Sequence, residues 1–218
     1  MTKEQILQWL QTFATVLAEN KEYLTQLDAA IGDADHGINM DRGFKKAIAQ
    51  LPTVADRDIG SILKTVSMTL ISSVGGASGP LYGTLFLRAS TAVGNKQELT
   101  EQDMLKLLQA GLDGVLQRGK ARLGDKTMVD ALTRSVTAFE QAVAEGKDML
   151  EAMQQAVAAA ELGMKDTIPM LAKKGRASYL GERSIGHQDP GSTSVYLMLH
   201  CLLGVLSDKC RGGETPPA

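Results

Sequence analysis

The sequence predicts an all-α fold in a single domain, and three observations support this prediction. Apolar residues recur with the i, i+3, i+4 spacing of one helix face along most of the 218 residues. Strand signals are nearly absent, because aromatic residues make up only 4% of the chain and β-branched residues do not alternate with polar ones. A chain of this length buries one substantial core. We therefore expect a bundle or closed ring of antiparallel helices over residues 1–210, with a disordered tail at 211–218.

Apolar periodicity indicates about eight helices. The first starts at Thr2, because Thr2 and Gln5 have the spacing of a capping box and an apolar face runs from Ile6 to Leu17. Another starts after Thr100, where leucine and methionine residues crowd one side. The same periodicity places the remaining helices at 37–49, 59–73, 80–93, 130–145, 148–166 and 192–206.

Four connections between these helices are rich in glycine and polar residues. Turns between bundle helices usually need about two to eight residues, and connections that exceed this duty are commonly binding loops. We therefore expect a functional site to be built from residues 31–39, 72–80, 118–128 and 173–194.

Composition argues against several classes of function. A formal net charge of −2 gives no electrostatic case for nucleic acid binding. The polar, amphipathic start and the lack of any apolar run near the roughly 20 residues that span a membrane predict neither signal peptide nor anchor. Cys201 and Cys210 match no disulfide framework or zinc motif and are interpreted as a buried thiol and a tail thiol, and His200 as a core histidine. These features fit a cytoplasmic protein.

The sharpest chemical signal is a cluster of three carboxylates, Asp28, Asp33 and Asp35, which ends in the string GDADHG. Such carboxylates repel one another unless a cation neutralises them, and hard oxygen ligands suit magnesium, which completes its shell with water and substrate phosphates. An EF-hand calcium loop starting at Asp33 is excluded, because its required glycine and glutamate are missing. The alternative is a solvated acidic loop in which Asp35 or His36 caps the following helix.

Two further loops carry chemistry suited to an anion. In SSVGGASGP the glycines let backbone N–H groups converge on a phosphate, although the pattern matches neither common nucleotide-binding motif; a tight turn is the alternative. In the long loop, Arg176 and Arg183 offer planar guanidinium groups that match phosphate oxygens, so either is a candidate phosphate clamp; surface ion pairs are the alternative. No serine or cysteine has the signature of a covalent nucleophile, which phosphoryl transfer does not require.

Four strings together resemble one known family: LDAAIGDADHGINM at 27–40, SSVGGASGPLYGT at 72–84, RGKARLGDKTM at 118–128 and GRASYLGERSIGHQDPGSTS at 175–194. They resemble the nucleotide-binding L subunits of bacterial phosphotransferase-dependent dihydroxyacetone kinases, and the C-terminal domain of ATP-dependent single-chain dihydroxyacetone kinases. The strings span most of the chain in the expected order. The resemblance implies a barrel of eight antiparallel helices with a nucleotide site in the loops at one rim.

The resemblance also implies the residues of the site. Asp28, Asp33 and Asp35 match aspartates that hold two magnesium ions against the diphosphate of ADP. The implied nucleotide contacts are His36, Gly37, Ile38, Asn39, Ala77, Ser78, Gly119, Met128, Arg176, Asp189, Pro190 and Gly191. Among them, Ala77 and Ser78 match the phosphate loop, and Met128 is expected against the adenine.

A relay of phosphoryl groups is the function implied by the resemblance, which makes the chain a phosphotransferase subunit. ADP stays bound as a cofactor and becomes ATP transiently, when a phosphohistidine on an M subunit donates a phosphoryl group. The group then passes to dihydroxyacetone held on a K subunit. Two alternatives remain open: a subunit that exchanges free ATP and phosphorylates a related small ketose, and a regulatory module that docks on a transcription regulator in its ADP-bound state.

Overall fold

The computed structural model describes residues 1–207, and within this range the chain is helical, with no strand beyond an isolated bridge between Thr2 and Glu98. The helices of this range are α1 (Lys3–Glu19), α2 (Lys21–Ile31), α3 (His36–Gln50), α4 (Ile59–Ser73), α5 (Ser78–Val93), α6 (Glu101–Gly119), α7 (Met128–Ala144), α8 (Met149–Lys165) and α9 (Pro190–Leu206). Short 3₁₀ helices cover Leu51–Thr53 and Arg176–Ser184. The predicted all-α class is confirmed.

The described residues hold one helix more than the eight predicted. The capping box predicted at Thr2 is present, and α6 begins in the same way at Thr100. The helix that the sequence did not reveal is α2. Its buried face presents Asp28 between Leu24 and Ile31, so a carboxylate interrupts the apolar periodicity on which the prediction depended.

The helices pack in a closed order around one core. Neighbours in sequence from α3 to α9 lie side by side, and α1 and α2 complete the circle by contacting both α3 and α9. Aromatic rings fill part of the interior, where Phe44 meets Phe13 and Phe86 at centroid distances of 4.7 and 6.1 Å. Trp9 of α1 donates its ring N–H to the carbonyl of Met198 in α9 at 2.9 Å, and this hydrogen bond links the first helix to the last helix of the described residues.

Three further expectations have different outcomes. Cys201 is buried, as predicted. His200 is exposed beside the ring of Tyr196, so the prediction of a core histidine is wrong: it lies on the outer side of an otherwise apolar helix. Cys210 and the predicted tail at 211–218 lie outside the described residues. Within residues 1–207, no helix combines the length and the apolar character needed to cross a membrane.

Candidate metal centre and ligand cavity

A cavity of about 370 Å³ lies at one end of the helix ring and draws its wall from all four predicted loops. Twelve of the fifteen residues predicted for the site line it: Asp28, Asp33, Asp35, His36, Ala77, Ser78, Gly119, Met128, Arg176, Asp189, Pro190 and Gly191. The volume lies in the range of about 300 to 1,000 Å³ that is usual for small-molecule sites.

Four helices begin at this cavity. The residues that precede α3, α5, α7 and α9 are Asp35, Ala77, Thr127 and Asp189, and each lines the cavity. The first N–H groups of a helix lack partners inside the helix and carry a partial positive charge. Their convergence favours an anionic ligand such as phosphate.

The three predicted metal ligands lie together on the same wall. Asp28, Asp33 and Asp35 each offer one carboxylate oxygen, and these atoms lie within 4.8 Å of one another. The buried Asp28 carboxylate accepts the backbone N–H groups of Asp35 at 2.8 Å and His36 at 3.1 Å. Asp35 is the N-cap residue of α3, as the alternative interpretation expected, yet its side chain makes no capping bond. The Asp28 carboxylate instead accepts the N–H groups of Asp35 and His36 at the start of α3, and the Asp35 carboxylate remains available to a cation.

Gly32 allows the chain to fold over the Asp28 carboxylate. A Cβ atom at position 32 would lie 2.1 Å from Oδ1 of Asp28, far inside van der Waals contact. Because the Asp28 side chain is held by two hydrogen bonds, it has little freedom to move away. The first glycine of the GDADHG string is therefore required by its close approach to the Asp28 carboxylate.

Arg176 stands beside the acidic cluster, with its Nε atom 3.0 Å from Oδ2 of Asp33. This ion pair neutralises part of the cluster, and the bond through Nε leaves the terminal amino groups of the guanidinium as donors. Arg183 is exposed and does not line the cavity. Of the two candidate clamps, only Arg176 is placed to meet a ligand in this cavity.

His36 bridges two of the converging helices. Its Nδ1 atom lies 2.9 Å from the hydroxyl of Ser78 in α5, and its Nε2 atom lies 3.0 Å from the hydroxyl of Ser194 in α9. The hydroxyl of Tyr82 contacts the same Ser194 oxygen at 2.8 Å. Burial lowers the pKa of His36 to about 4, although the nearby Asp28 carboxylate opposes the shift. The ring is therefore neutral at pH 7 and holds Ser78 in place, with both nitrogens engaged.

Three predicted contacts do not line the cavity. Gly37 lies against α2, since a Cβ there would be 2.0 Å from the carbonyl oxygen of Lys21. Ile38 is 48% exposed. Asn39 is buried next to Gly75 and accepts a hydrogen bond from Arg42 at 2.6 Å. The position of Gly37 therefore favours a role in packing, and that of Asn39 favours contact with the glycine-rich loop.

Other cavity residues were not predicted from the sequence. Apolar side chains also line the cavity: Ile31, Leu81, Val115 and Val129. Tyr82 follows Ser78 by one helical turn, a spacing that could have indicated a shared face. Lys126 is buried among backbone carbonyls, and nothing in its local sequence distinguishes it from a solvated lysine.

Known proteins share both the sequence pattern and the fold. A family model described as the DAK2 domain matches residues 30–204. The chain is 50% identical over 202 residues to the PEP-dependent dihydroxyacetone kinase, ADP-binding subunit DhaL of Escherichia coli (strain K12), covering 93% of this chain and 96% of that protein. It is 42% identical to the PTS-dependent dihydroxyacetone kinase, ADP-binding subunit DhaL of Lactococcus lactis subsp. lactis (strain IL1403), covering 95% and 100%.

A solved structure supports the fold. The dihydroxyacetone kinase of C. freundii in its native form superposes with a TM-score of 0.69 at 24% identity, covering 91% of this chain and 34% of that chain. The match of the family model over most of the chain and the high identity over nearly the full length of two relatives agree with each other. The chain belongs to the DAK2 domain family.

Proposed function

We propose that this chain is the ADP-binding subunit of a cytoplasmic dihydroxyacetone kinase, and that it holds ADP with two magnesium ions as a cofactor. The observation that carries the proposal is the convergence of three carboxylates and four helix N-termini on one cavity. Carboxylates alone would repel a nucleotide, whereas carboxylates bridged to phosphates by divalent cations bind it. In this proposal the closed circle of helices corresponds to the expected barrel, and its rim carries the site.

The acidic cluster suits magnesium in both charge and geometry. Asp28, Asp33 and Asp35 together with Arg176 carry a net charge of about −2, and ADP adds about −3, so two magnesium ions leave the occupied site at about −1. Two hydrogen bonds hold the Asp28 carboxylate in position before any cation binds, and the lack of a side chain at Gly32 leaves room for it. When bound, the metal ions offset negative charge on the transferring phosphoryl group.

The chain offers separate groups for the phosphates and the base. Ala77 and Ser78, at the start of α5, would bind phosphate through backbone N–H groups, and Arg176 through its free amino groups. Met128, which is 5% exposed, is one of the apolar residues that line the cavity and would contact the adenine. These assignments keep polar atoms for the diphosphate and apolar ones for the ring.

Partner subunits would complete the reaction. In the proposed relay, a phosphohistidine of an M subunit supplies the phosphoryl group, the nucleotide carries it transiently as ATP, and dihydroxyacetone on a K subunit accepts it. Exposed apolar side chains in or directly beside the four site loops would offer contacts to such partners: Ile38, Ile71, Leu123 and Tyr179. This chain itself contributes positioning and charge, with no covalent intermediate.

Two relatives support a phosphotransferase-linked donor over exchange with free ATP. They are 50% and 42% identical to this chain and are named as subunits of PEP-dependent and PTS-dependent dihydroxyacetone kinases. The ATP-exchanging alternative is separated by experiment, since it needs no M subunit.

Calorimetric titration of the purified chain with ADP tests the binding site. We expect saturable binding in magnesium and none in EDTA. Titration of Asp113→Asn, which removes an exposed carboxylate of α6 away from the cavity, is the matched control and should equal the wild type. A wild-type chain that binds no ADP in magnesium would contradict the proposal.

Reconstitution tests the relay. The chain is mixed with K subunit, phosphorylated M subunit and dihydroxyacetone, and dihydroxyacetone phosphate is measured. We expect product only when all components are present. Product formed from ATP without M subunit would instead support the ATP-exchanging alternative.

A further inference from the structure

Lys126 is buried, which is unusual for a lysine. The residue is 1% exposed, and its backbone takes a φ of 61°, a left-handed conformation that favours glycine. Burial of an ammonium group is unfavourable unless strong partners replace water. The burial therefore indicates that protein groups hold this ammonium group in place of water.

Backbone carbonyl oxygens surround the Lys126 ammonium group. Its Nζ atom donates to the carbonyls of Thr167 at 2.7 Å, Met170 at 3.2 Å and Ile168 at 3.4 Å, and it also donates to the carbonyl of His187. Among the described residues, no carboxylate lies within ion-pair distance of this nitrogen. Four oxygens facing three N–H bonds form a shell like those in which carbonyls replace the hydration water of a potassium ion.

These carbonyls come from segments that shape the cavity. Thr167 follows the C-terminus of α8, where helix carbonyls favour a cation, and His187 precedes the start of α9. Lys126 itself directly precedes Thr127, the N-cap residue of α7. The ammonium group therefore joins the end of α8 to the starts of α7 and α9, both of which line the cavity.

Two neighbouring hydrogen bonds connect the same segments. The hydroxyl of Thr167 accepts the backbone N–H of Asp189 at 3.0 Å, and the hydroxyl of Ser192 donates to the carbonyl of Thr127 at 2.6 Å. Without the ammonium group, four carbonyls would lose their shared partner, and only packing and neutral hydrogen bonds such as these two would connect the segments.

We infer that Lys126 is a positioning residue whose ammonium group takes the place of a bound monovalent cation, and that it holds the starts of α7 and α9 where a ligand of the cavity requires them. The inference rests on the proposed function only in the use of ADP as the probe. Ammonium and potassium ions are expected to fill the same carbonyl shell when the lysine nitrogen is removed.

The test uses Lys126→Met, which keeps most of the aliphatic chain and vacates the position of Nζ. Lys120→Met is the matched control: Lys120 lies in the same loop and also has a left-handed backbone, with φ of 51°, but it is exposed and outside the cavity wall. The dissociation constant of ADP with magnesium is measured by calorimetry well below the melting temperature of each protein. Chloride salts of tetramethylammonium, ammonium and potassium are compared at equal ionic strength.

In tetramethylammonium, which is too large for the shell, we expect Lys126→Met to bind ADP at least about tenfold more weakly than wild type. Ammonium or potassium should restore most of the loss, whereas wild type and Lys120→Met should not depend on the cation. Unchanged affinity of Lys126→Met, or a loss that is equal in all three salts, would overturn the inference.

Two measurements without nucleotide keep the inference testable if the proposed function fails. The melting temperature of Lys126→Met should rise in ammonium relative to tetramethylammonium, and a cation-independent value would count against the shell. In wild type labelled with ¹⁵N-lysine, one Nζ resonance should be protected from exchange with water at neutral pH. If Lys126→Met does not fold, the absence of that resonance is sufficient to reject the inference.

Discussion

Alanine substitutions at Asp28 and Asp33 should separate the effect on metal binding from the effect on folding, because the two aspartates make different contacts in the structure. The Asp28 carboxylate is buried and accepts two backbone N–H groups of the α2–α3 connection. Asp33 makes only the ion pair with Arg176, in which the side chains are 34% and 68% exposed. Both aspartates belong to the same cluster of possible ligands.

The expected magnitudes follow from these contacts. A hydrogen bond to a charged acceptor contributes about 1.5 to 3 kcal/mol, so the loss of two bonds in Asp28→Ala should lower the free energy of unfolding by about 3 kcal/mol or more. For a chain of this size that corresponds to a fall in melting temperature of about 6 to 12 °C. An exposed ion pair contributes about 0 to 1 kcal/mol, so Asp33→Ala should lose less than about 4 °C.

Thermal scans in EDTA, without nucleotide, measure the folding part of this prediction. Calorimetry with ADP and magnesium then measures binding, which we expect to be lost in both variants. Asp113→Ala removes an equal charge from the surface of α6, where the carboxylate accepts a hydrogen bond only from Gln109, and should leave both quantities unchanged.

Two outcomes would refute the reasoning. Equal losses of melting temperature in Asp28→Ala and Asp33→Ala would show that the buried hydrogen bonds are not what distinguishes the two residues. Near-normal ADP affinity in a folded Asp33→Ala protein would reject the metal assignment itself.

Two other predictions follow from the site. In Gly32→Ala the new Cβ, 2.1 Å from Oδ1 of Asp28, should displace that carboxylate by about 1 Å and weaken ADP binding by about tenfold or more in calorimetry, a loss of about 1.4 kcal/mol or more; wild-type affinity would contradict the close approach. Burial raises the pKa of Asp189 from 3.8 to about 7, so the folded chain retains a proton that the unfolded chain releases. The free energy of unfolding of wild type relative to Asp189→Asn, from denaturant titrations, should therefore be highest below about pH 4 and fall as pH rises to 7; a rise with pH would contradict it.

Much of the fold could be predicted from the sequence, because helix periodicity and caps depend on residues only a few positions apart. The starts of α1 and α6 are examples, since each cap contacts its third following residue. The prediction failed at α2, where the buried face carries the functional carboxylate of Asp28. A residue placed for binding removed the apolar signal that would have indicated the helix.

The site, like the fold, was predicted from the sequence only in part. The strings of aspartate, glycine and arginine indicated metal and phosphate chemistry from local composition, and the resemblance to a known family implied the other contacts. The structure brings twelve of the fifteen predicted residues to one cavity. The contacts that each of these residues makes could not be predicted from the sequence. Asp28 accepts the N–H groups at the start of α3, where the alternative interpretation had Asp35 or His36 as the cap. Both ring nitrogens of His36 contact hydroxyl groups, those of Ser78 and Ser194, which lie 42 and 158 positions away.

The sequence by itself determined the helical class, most helix limits and the loops that carry the chemistry, because those depend on short-range patterns of side chains. Only the tertiary structure decided that four helix starts meet at one cavity and that the buried nitrogen of Lys126 is held by carbonyls 41 to 61 positions along the chain. The physical reason is that backbone carbonyls are present in every residue. Which of them surround a buried charge is therefore settled by packing and leaves no mark in the sequence.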